Sequence, residues 1–228
     1  MTLDVLGFSG RHVVVTGGTG ALGRAVVEAL VGAGAVCHVP HRGAVPADFP
    51  SHERIVLAGG VELADEARVA RFYADLPALW ASVHVAGGFA AASLLSTSLA
   101  DLRAQLDQNL VSAFLCCREA ARRMTATAGG RIVNVASRSA VDVEGGKIAY
   151  TVAKAGVVAL TRALAVELGL AGVLVNAVVP STIDTPANRA AMPSADPSRW
   201  SKPADIARTI AWLASADNGG TTGAIVPV

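Results

Sequence analysis

Short unbroken apolar runs alternate along this chain with longer stretches in which apolar side chains recur every third or fourth position. The first pattern predicts strands and the second predicts helices. Residues 11–16 (RHVVVT) read as a strand that feeds directly into GGTGALG. A helical stretch at 21–33 and a second strand at 35–39 follow. Residues 53–58 form a third run, and 64–76 a helix with Val69, Phe72, Tyr73 and Leu76 on its apolar side. A fourth strand over 80–86 ends in the Gly87-Gly88 turn. A long helix over 99–124 then carries Leu102, Leu106, Leu110, Ala113, Phe114 and Cys117 at helical spacing. The run 132–136 delivers Ser137 at its carboxyl end, and a helical pattern opens with Tyr150 and continues to Val166. Strands at 172–180 and 224–228 close the chain, with a helix at 203–214 between them that has Pro203 in its first turn. The least regular piece is the proline-containing 184–202, which reads as a lid or substrate loop.

Composition narrows this to one α/β domain spanning 1–228. The 228 residues are 52% hydrophobic, 16% charged and 4% aromatic, with 23 glycines. A net charge of +1 argues against a nucleic-acid partner, which would need a basic stripe. No apolar run reads as long enough to cross a bilayer, and MTLDVLGFSG lacks the basic and apolar regions of a signal peptide, so the expected compartment is the cytosol. Three cysteines, Cys37, Cys116 and Cys117, have neither disulfide nor zinc spacing and read as buried small hydrophobes; no metal site is expected.

Two stretches carry chemistry. Strand, GGTGALG, helix and second strand in that order make the context in which a glycine-rich loop binds nucleotide. Glycines allow a close backbone approach to a pyrophosphate, whose charge rests on the helix N-terminus. The second strand ends in Pro40-His41-Arg42 with no acid before Asp48, which favours NADP(H) over NAD(H), with Arg42, helped by His41, on the 2′-phosphate. Farther on, Tyr150 and Lys154 stand four residues apart and share a helix face. A cation beside a phenol favours its ionised form, and the Ser137 hydroxyl could hold a substrate oxygen from the other side. On spacing alone a packed tyrosine with a solvated lysine is the better reading, and context has to decide. Asn109, inside the long helix, must satisfy its amide either in solvent or in a buried link to the site.

Thr16-Gly-Gly-Thr-Gly-Ala-Leu-Gly23, Ser137, Tyr150-Thr-Val-Ala-Lys154 and Pro180-Ser-Thr-Ile-Asp-Thr185 together resemble, over essentially the whole chain, the short-chain dehydrogenase/reductase family. The resemblance implies a Rossmann-type doubly wound parallel sheet of about seven strands between two helix layers. It implies hydride transfer between a nicotinamide and a carbonyl or alcohol substrate. It makes Tyr150 the general acid/base and has Lys154 lower its pKa and hold the nicotinamide ribose. Ser137 would orient the carbonyl, and Asn109 would support a proton-relay water. Gly17, Thr19, Gly20, Leu22 and Gly23 fall on the phosphate side, and Glu62 and Leu63 beside the adenine. Ala86, Gly87 and Gly88 lie along the cofactor, and Ile183 and Thr185 grip its carboxamide.

Three departures stand out. The family's Asn-Asn-Ala-Gly is here His84-Val-Ala-Gly87, so the asparagine that ties that strand is missing. Ala21 replaces the middle glycine of the fingerprint, and Ser181 follows Pro180 where glycine is usual. Residues 182–192 are also similar to dihydropteridine reductases, which lack the serine. A pteridine reductase and an NADP-sensing protein without turnover stay as alternatives to a ketoreductase-like enzyme. The family's habit of pairing subunits through the Tyr150 helix and its predecessor, and of using the last strand for a tetramer, implies a homodimer or homotetramer. The small and apolar residues all round 150–166 fit that expectation.

Overall fold

The structure, a computed structural model, describes residues 6–127 and 129–228. Half of the MTLDVLGFSG stretch, on which the expected lack of a signal peptide rests, therefore lies outside the described residues. Seven strands, β1 (His12–Thr16), β2 (Val36–His41), β3 (Ile55–Gly59), β4 (Ala81–His84), β5 (Gly130–Val135), β6 (Val173–Val179) and β7 (Ile225–Pro227), form one sheet. All neighbours run parallel, in the order β3-β2-β1-β4-β5-β6-β7. Strands covered on both faces are apolar throughout rather than alternating. All four residues of β4 are buried, as are all but one of β6.

Val13 and Val15 of β1 pack on one face, in a core shared with the helices α1 (Ala21–Gly32) and α7 (Pro203–Ala214). Val14 points to the other face, into a core with α2 (Glu66–Ala74), α4 (Ser112–Thr125) and α5 (Ile148–Leu168). The fold is therefore the doubly wound α/β/α arrangement expected from the sequence. The strand order reverses between β1 and β4, and parallel strands on either side of such a point open a crevice at their carboxyl ends.

Several expectations are corrected. The helix read over 64–76 starts at Glu66, because the Asp65 carboxylate accepts from the Arg68 N–H and caps it. Val69, Phe72, Tyr73 and Leu76 are buried as expected. The segment 99–124 is not one α-helix. The helix α3 (Leu99–Leu106) opens on a capping box between Ser98 and Asp101, and a π turn at Asp107–Val111 leads into α4. The extra residue of a π turn rotates the face presented to the core. Leu115, Cys116, Ala120 and Met124 therefore fill the interior, while Phe114 is 46% exposed.

The Tyr150 helix begins at Ile148, two residues earlier than read. With its continuation it forms, over Ile148–Ala171, a segment long and apolar enough to cross a membrane, contrary to the expectation from sequence. Here its buried face covers the sheet and carries Lys154, as a core helix does. Finally, 184–202 is not wholly irregular. Thr185 accepts from the Asn188 N–H and, with Pro186 next in line, starts the short helix α6 (Pro186–Ala191). All three cysteines are buried and free.

Candidate active site

At the crevice, the Thr16 hydroxyl accepts from the Ala86 N–H at 3.3 Å, drawing the loop after β1 against the end of β4. The approach leaves no room for side chains. Gly17 has φ +64°, and a Cβ there would lie 2.7 Å from the Ala86 backbone; a Cβ on Gly23 would lie 2.0 Å from the Gly17 carbonyl oxygen. The helix α1 starts after Gly20 with no side-chain cap and no acid in its first turn. Its first N–H groups and its dipole thus form an anion cradle.

A cavity of about 810 Å³ opens over this cradle. Gly17, Thr19, Gly20, Leu22 and Gly23 line it on one side, His41, Arg42, Glu62 and Leu63 on another, and Ala86, Gly87 and Thr185 complete the wall. Arg42 and Glu62, assigned separately to phosphate and adenine, stand together: guanidinium and carboxylate are 3.3 Å apart, and the Arg42 side chain is 70% exposed. The His41 ring donates from Nδ1 to the Gly43 carbonyl at 2.7 Å, which fixes the ring at the strand end.

Leu22, Val85 and Gly87 are shared with a second cavity of about 480 Å³, so the two form one cleft. Asn109, Ser137, Tyr150, Lys154, Gly88 and Ile183 line this inner lobe. Every cofactor and catalytic residue named from the sequence thus lines the cleft. Asn109 sits in the π turn and is buried. It donates from Nδ2 to the Gly88 carbonyl (2.9 Å) and the Gln105 carbonyl (3.0 Å), and accepts at Oδ1 from the Gly88 N–H (3.3 Å). Of its two readings the structure takes the buried link. A Cβ on Gly87 would stand 2.6 Å from Asn109 Oδ1, so the turn after β4 must stay bare.

Ser137, just past β5, accepts from the Ser139 N–H at 3.3 Å and lines the lobe with the Tyr150 phenol, near enough to act on its ionisation. Lys154 is buried and donates from Nζ to the Val135 carbonyl at 2.8 Å; desolvation lowers its pKa to about 8. Burial raises the Tyr150 pKa, and the Ser137 hydroxyl and the charge of Lys147 pull it part of the way back. The Lys154 ammonium is 6.0 Å from the Tyr150 ring centre and gives one of its three donors to a backbone carbonyl, and the charge of Lys147 also acts on the phenol.

The loss of the family asparagine is made good by a ring. Tyr73 donates to Ser82 (2.7 Å), Ser82 to His84 Nε2 (2.8 Å), and His84 Nδ1 to Asn134 Oδ1 (2.8 Å). Asn134 then donates to Thr161 at 2.9 Å, carrying the chain from α2 through β4 and β5 to α5. Burial takes the His84 pKa to about 4, so the ring is neutral and each partner has its complement. The tie that the sequence comparison with the family pattern marked as missing is thereby supplied by side chains.

Sequence reasoning missed Phe89, whose ring meets Tyr150 edge-on at 5.0 Å and 81°, and Arg138, Lys147 and Met192 around the inner lobe. Only Lys147 left a signal, three residues before Tyr150 on what becomes the same helix edge. Among the described residues no cluster of three or more His, Cys, Asp or Glu could hold a metal.

The cleft fits an extended dinucleotide. It has a bare glycine cradle under a helix N-terminus at one end, a cation and a carboxylate at the second-strand end, and a hydroxyl, phenol and ammonium at the other. Comparison with known proteins agrees with that shape. A family model described as enoyl-(acyl carrier protein) reductase matches residues 21–228. The 3-oxoacyl-(acyl-carrier-protein) reductase MabA of Mycobacterium tuberculosis is 30% identical over 233 residues, 97% of this chain and 92% of that one. Galactitol 2-dehydrogenase of Rhizobium johnstonii is 34% identical over 248 residues, covering 96% and 93%. A solved short-chain dehydrogenase/reductase family oxidoreductase from Burkholderia thailandensis superposes with a TM-score of 0.89 at 31% identity, covering 96% and 91%.

Proposed function

The chain belongs to the short-chain dehydrogenase/reductase family, and on that premise we propose that it is an NADP(H)-dependent oxidoreductase acting on a carbonyl or alcohol, ketoreductase-like in its chemistry. The observation that carries this reading is the meeting of Ser137, Tyr150 and buried Lys154 in one lobe continuous with a dinucleotide-shaped cleft. When bound, the nicotinamide supplies or accepts the hydride at the carbonyl carbon.

The chain's own residues handle the oxygen. Ser137 donates a hydrogen bond to the carbonyl oxygen, and Tyr150 moves the proton at that same atom as negative charge develops there. Lys154, anchored on Val135, holds the ribose edge beside Tyr150. Asn109 fixes the turn at Gly87 and Gly88 through its bonds to Gly88 and is assigned the relay water. The α1 N-terminus and its glycines take the diphosphate, Leu63 and Glu62 border the adenine, and Ile183 and Thr185 border the carboxamide. Arg42, drawn from Glu62, and His41 take the 2′-phosphate. The Glu62 carboxylate limits the preference for NADP(H), because the arginine must leave an ion pair to meet the phosphate.

The substrate is a small molecule, with relatives named for 3-oxoacyl carriers on the one hand and a sugar alcohol on the other. We also propose one domain over 1–228, a cytosolic location, and a homodimer or homotetramer formed through α4 and α5. On these helices Phe114, Val152 and Val166 are 46%, 46% and 85% exposed. The test is hydride transfer from NADPH and NADH across ketones, quinones and pterins, with Tyr150→Phe alongside. Reduction that needs no Tyr150, or cofactor binding with no turnover of any panel member, overturns the reading.

A further inference from the structure

The inner lobe carries more positive charge than the proton chemistry uses. Arg138, Lys147 and Lys154 line it against one carboxylate, Glu144. Lys154 donates to the Val135 carbonyl and is assigned to the ribose, but Arg138 and Lys147 lie outside the set that handles the carbonyl oxygen. The Lys147 side chain is only 20% exposed and sits one helical turn before Tyr150, near enough for its charge to act on the phenol.

Among the described residues its one carboxylate partner is the Glu144 side chain at 2.6 Å, itself 69% exposed on the segment leading to Gly145 and Gly146. An ammonium has three N–H donors, so a second oxygen can join or replace Glu144. Arg138 is held only loosely, 3.9 Å from an Asp142 carboxylate that is 70% exposed. Against this cationic wall stands an apolar one. Phe89, 65% exposed, offers its ring beside Tyr150, and Met192 lines the same lobe.

We propose that the inner lobe selects an oxo acid or the matching hydroxy acid. Its carboxylate is held by Lys147 with Arg138, and its apolar substituent rests on Phe89. This deepens the carbonyl-reductase reading and rests on it for which carbon reacts. Lys147 lies one turn from Tyr150, so the carboxylate belongs a few bonds from the reacting carbonyl, and an ester or amide in its place leaves both cations without an oxygen anion to bind. A charge-assisted hydrogen bond at a site this little exposed is worth about tenfold or more in affinity.

The experiment uses the whole chain with NADP⁺ present and two probes, benzoylformate and 3-benzoylpropionate, each paired with its methyl ester. Calorimetry gives dissociation constants, and turnover with NADPH is read on the same samples. At least one acid should bind about tenfold more tightly than its ester. Lys147→Met should remove most of that difference and Lys147→Arg should restore it, while Arg138→Met reduces it in part.

Because the charge of Lys147 also reaches Tyr150, a change in kcat common to acid and ester reports on the phenol, and only the acid-to-ester ratio reports on binding. Equal affinities for acid and ester, or a preference that survives both Met substitutions, overturns the proposal. Ester turnover without acid preference does so while leaving the oxidoreductase reading intact. Carboxylate-dependent binding without turnover does the reverse.

Discussion

Burying Lys154 sets a site requirement against fold stability, and Lys154→Met measures the conflict. Desolvation takes its pKa from 10.5 to about 8, which corresponds to on the order of 3 kcal/mol against the charged form. The sign follows from proton counts. The lysine in the unfolded chain keeps its proton to near 10.5, whereas the folded one sheds it near 8. Between those values the unfolded state binds more protons, and stability rises with pH.

The penalty is therefore fully present below pH 8 and is relieved as pH climbs from 8 toward 10.5. Between pH 7 and 9.5 the relief amounts to about 2 kcal/mol. Methionine removes the charge and its cost, but also the hydrogen bond to Val135 (2.8 Å), worth about 1.5–3 kcal/mol for a charged donor. At pH 7 the two nearly offset, and the variant should unfold within about 1–2 kcal/mol of the wild type while losing turnover.

The assay is urea unfolding of both proteins at pH 7 and 9.5, at one fixed protein concentration because association shifts apparent stability. Other titrating groups are common to both chains and cancel in the difference. The wild type should gain about 2 kcal/mol on the variant over that interval. A difference that stays flat, or that falls with pH, refutes the assignment of Lys154 as a desolvated, mainly charged group at neutral pH.

Tyr150→Phe should lower kcat by about 10²–10⁴-fold with the NADPH dissociation constant unchanged, read by single-turnover kinetics and fluorescence titration, since the ring stays and only the proton carrier goes. Arg42→Asp should weaken NADPH about tenfold or more and leave NADH tighter, as calorimetry would report; unchanged constants for both would detach Arg42 from the phosphate. Gly87→Ala places a methyl 2.6 Å from Asn109 Oδ1 and should cost activity more than stability, compared by kcat/KM and thermal melting. Light scattering at micromolar concentration should return a dimer or tetramer mass, and Phe114→Glu with Val166→Glu should shift it toward monomer.

The sheet was legible because fully covered parallel strands leave unbroken apolar runs. The GGTGALG turn was legible because bare backbone at a strand–helix junction requires glycine, as the contacts at Gly17 and Gly23 confirm. The positions of Ser137 and Tyr150 followed from one strand end and one helix start. What escaped depends on contacts across the sequence. The π turn at Asp107–Val111 has no residue signature of its own. Its effect is to swing Asn109 inward onto Gly88, while the every-fourth-residue spacing of Leu106, Leu110 and Phe114 suggested an unbroken face.

The His84 relay is the stronger case. Read against a family pattern, a histidine in place of asparagine looked like a lost tie. The partners that make it a tie, Ser82 two residues before it and Asn134 fifty residues on, become neighbours only when β4 pairs with β5 in the register His84 to Asn134. A neutral imidazole offers one donor and one acceptor on opposite edges, so it can span two strand partners that a shorter amide could reach only by shifting the backbone. With Tyr73 and Thr161 at its ends, the relay leaves these bonded groups satisfied within the sheet core. His84→Leu, similar in bulk but without either nitrogen, would take the acceptor from the Ser82 hydroxyl and the imidazole donor from the Asn134 carbonyl, leaving each buried group one partner short. It should cost about 2–4 kcal/mol in urea unfolding, and as the loop at Gly87 and Gly88 hangs from the end of β4, it should also weaken NADPH binding. A variant with wild-type stability would mean that the relay adds nothing, and a variant destabilised but binding NADPH normally would uncouple β4 from the cleft.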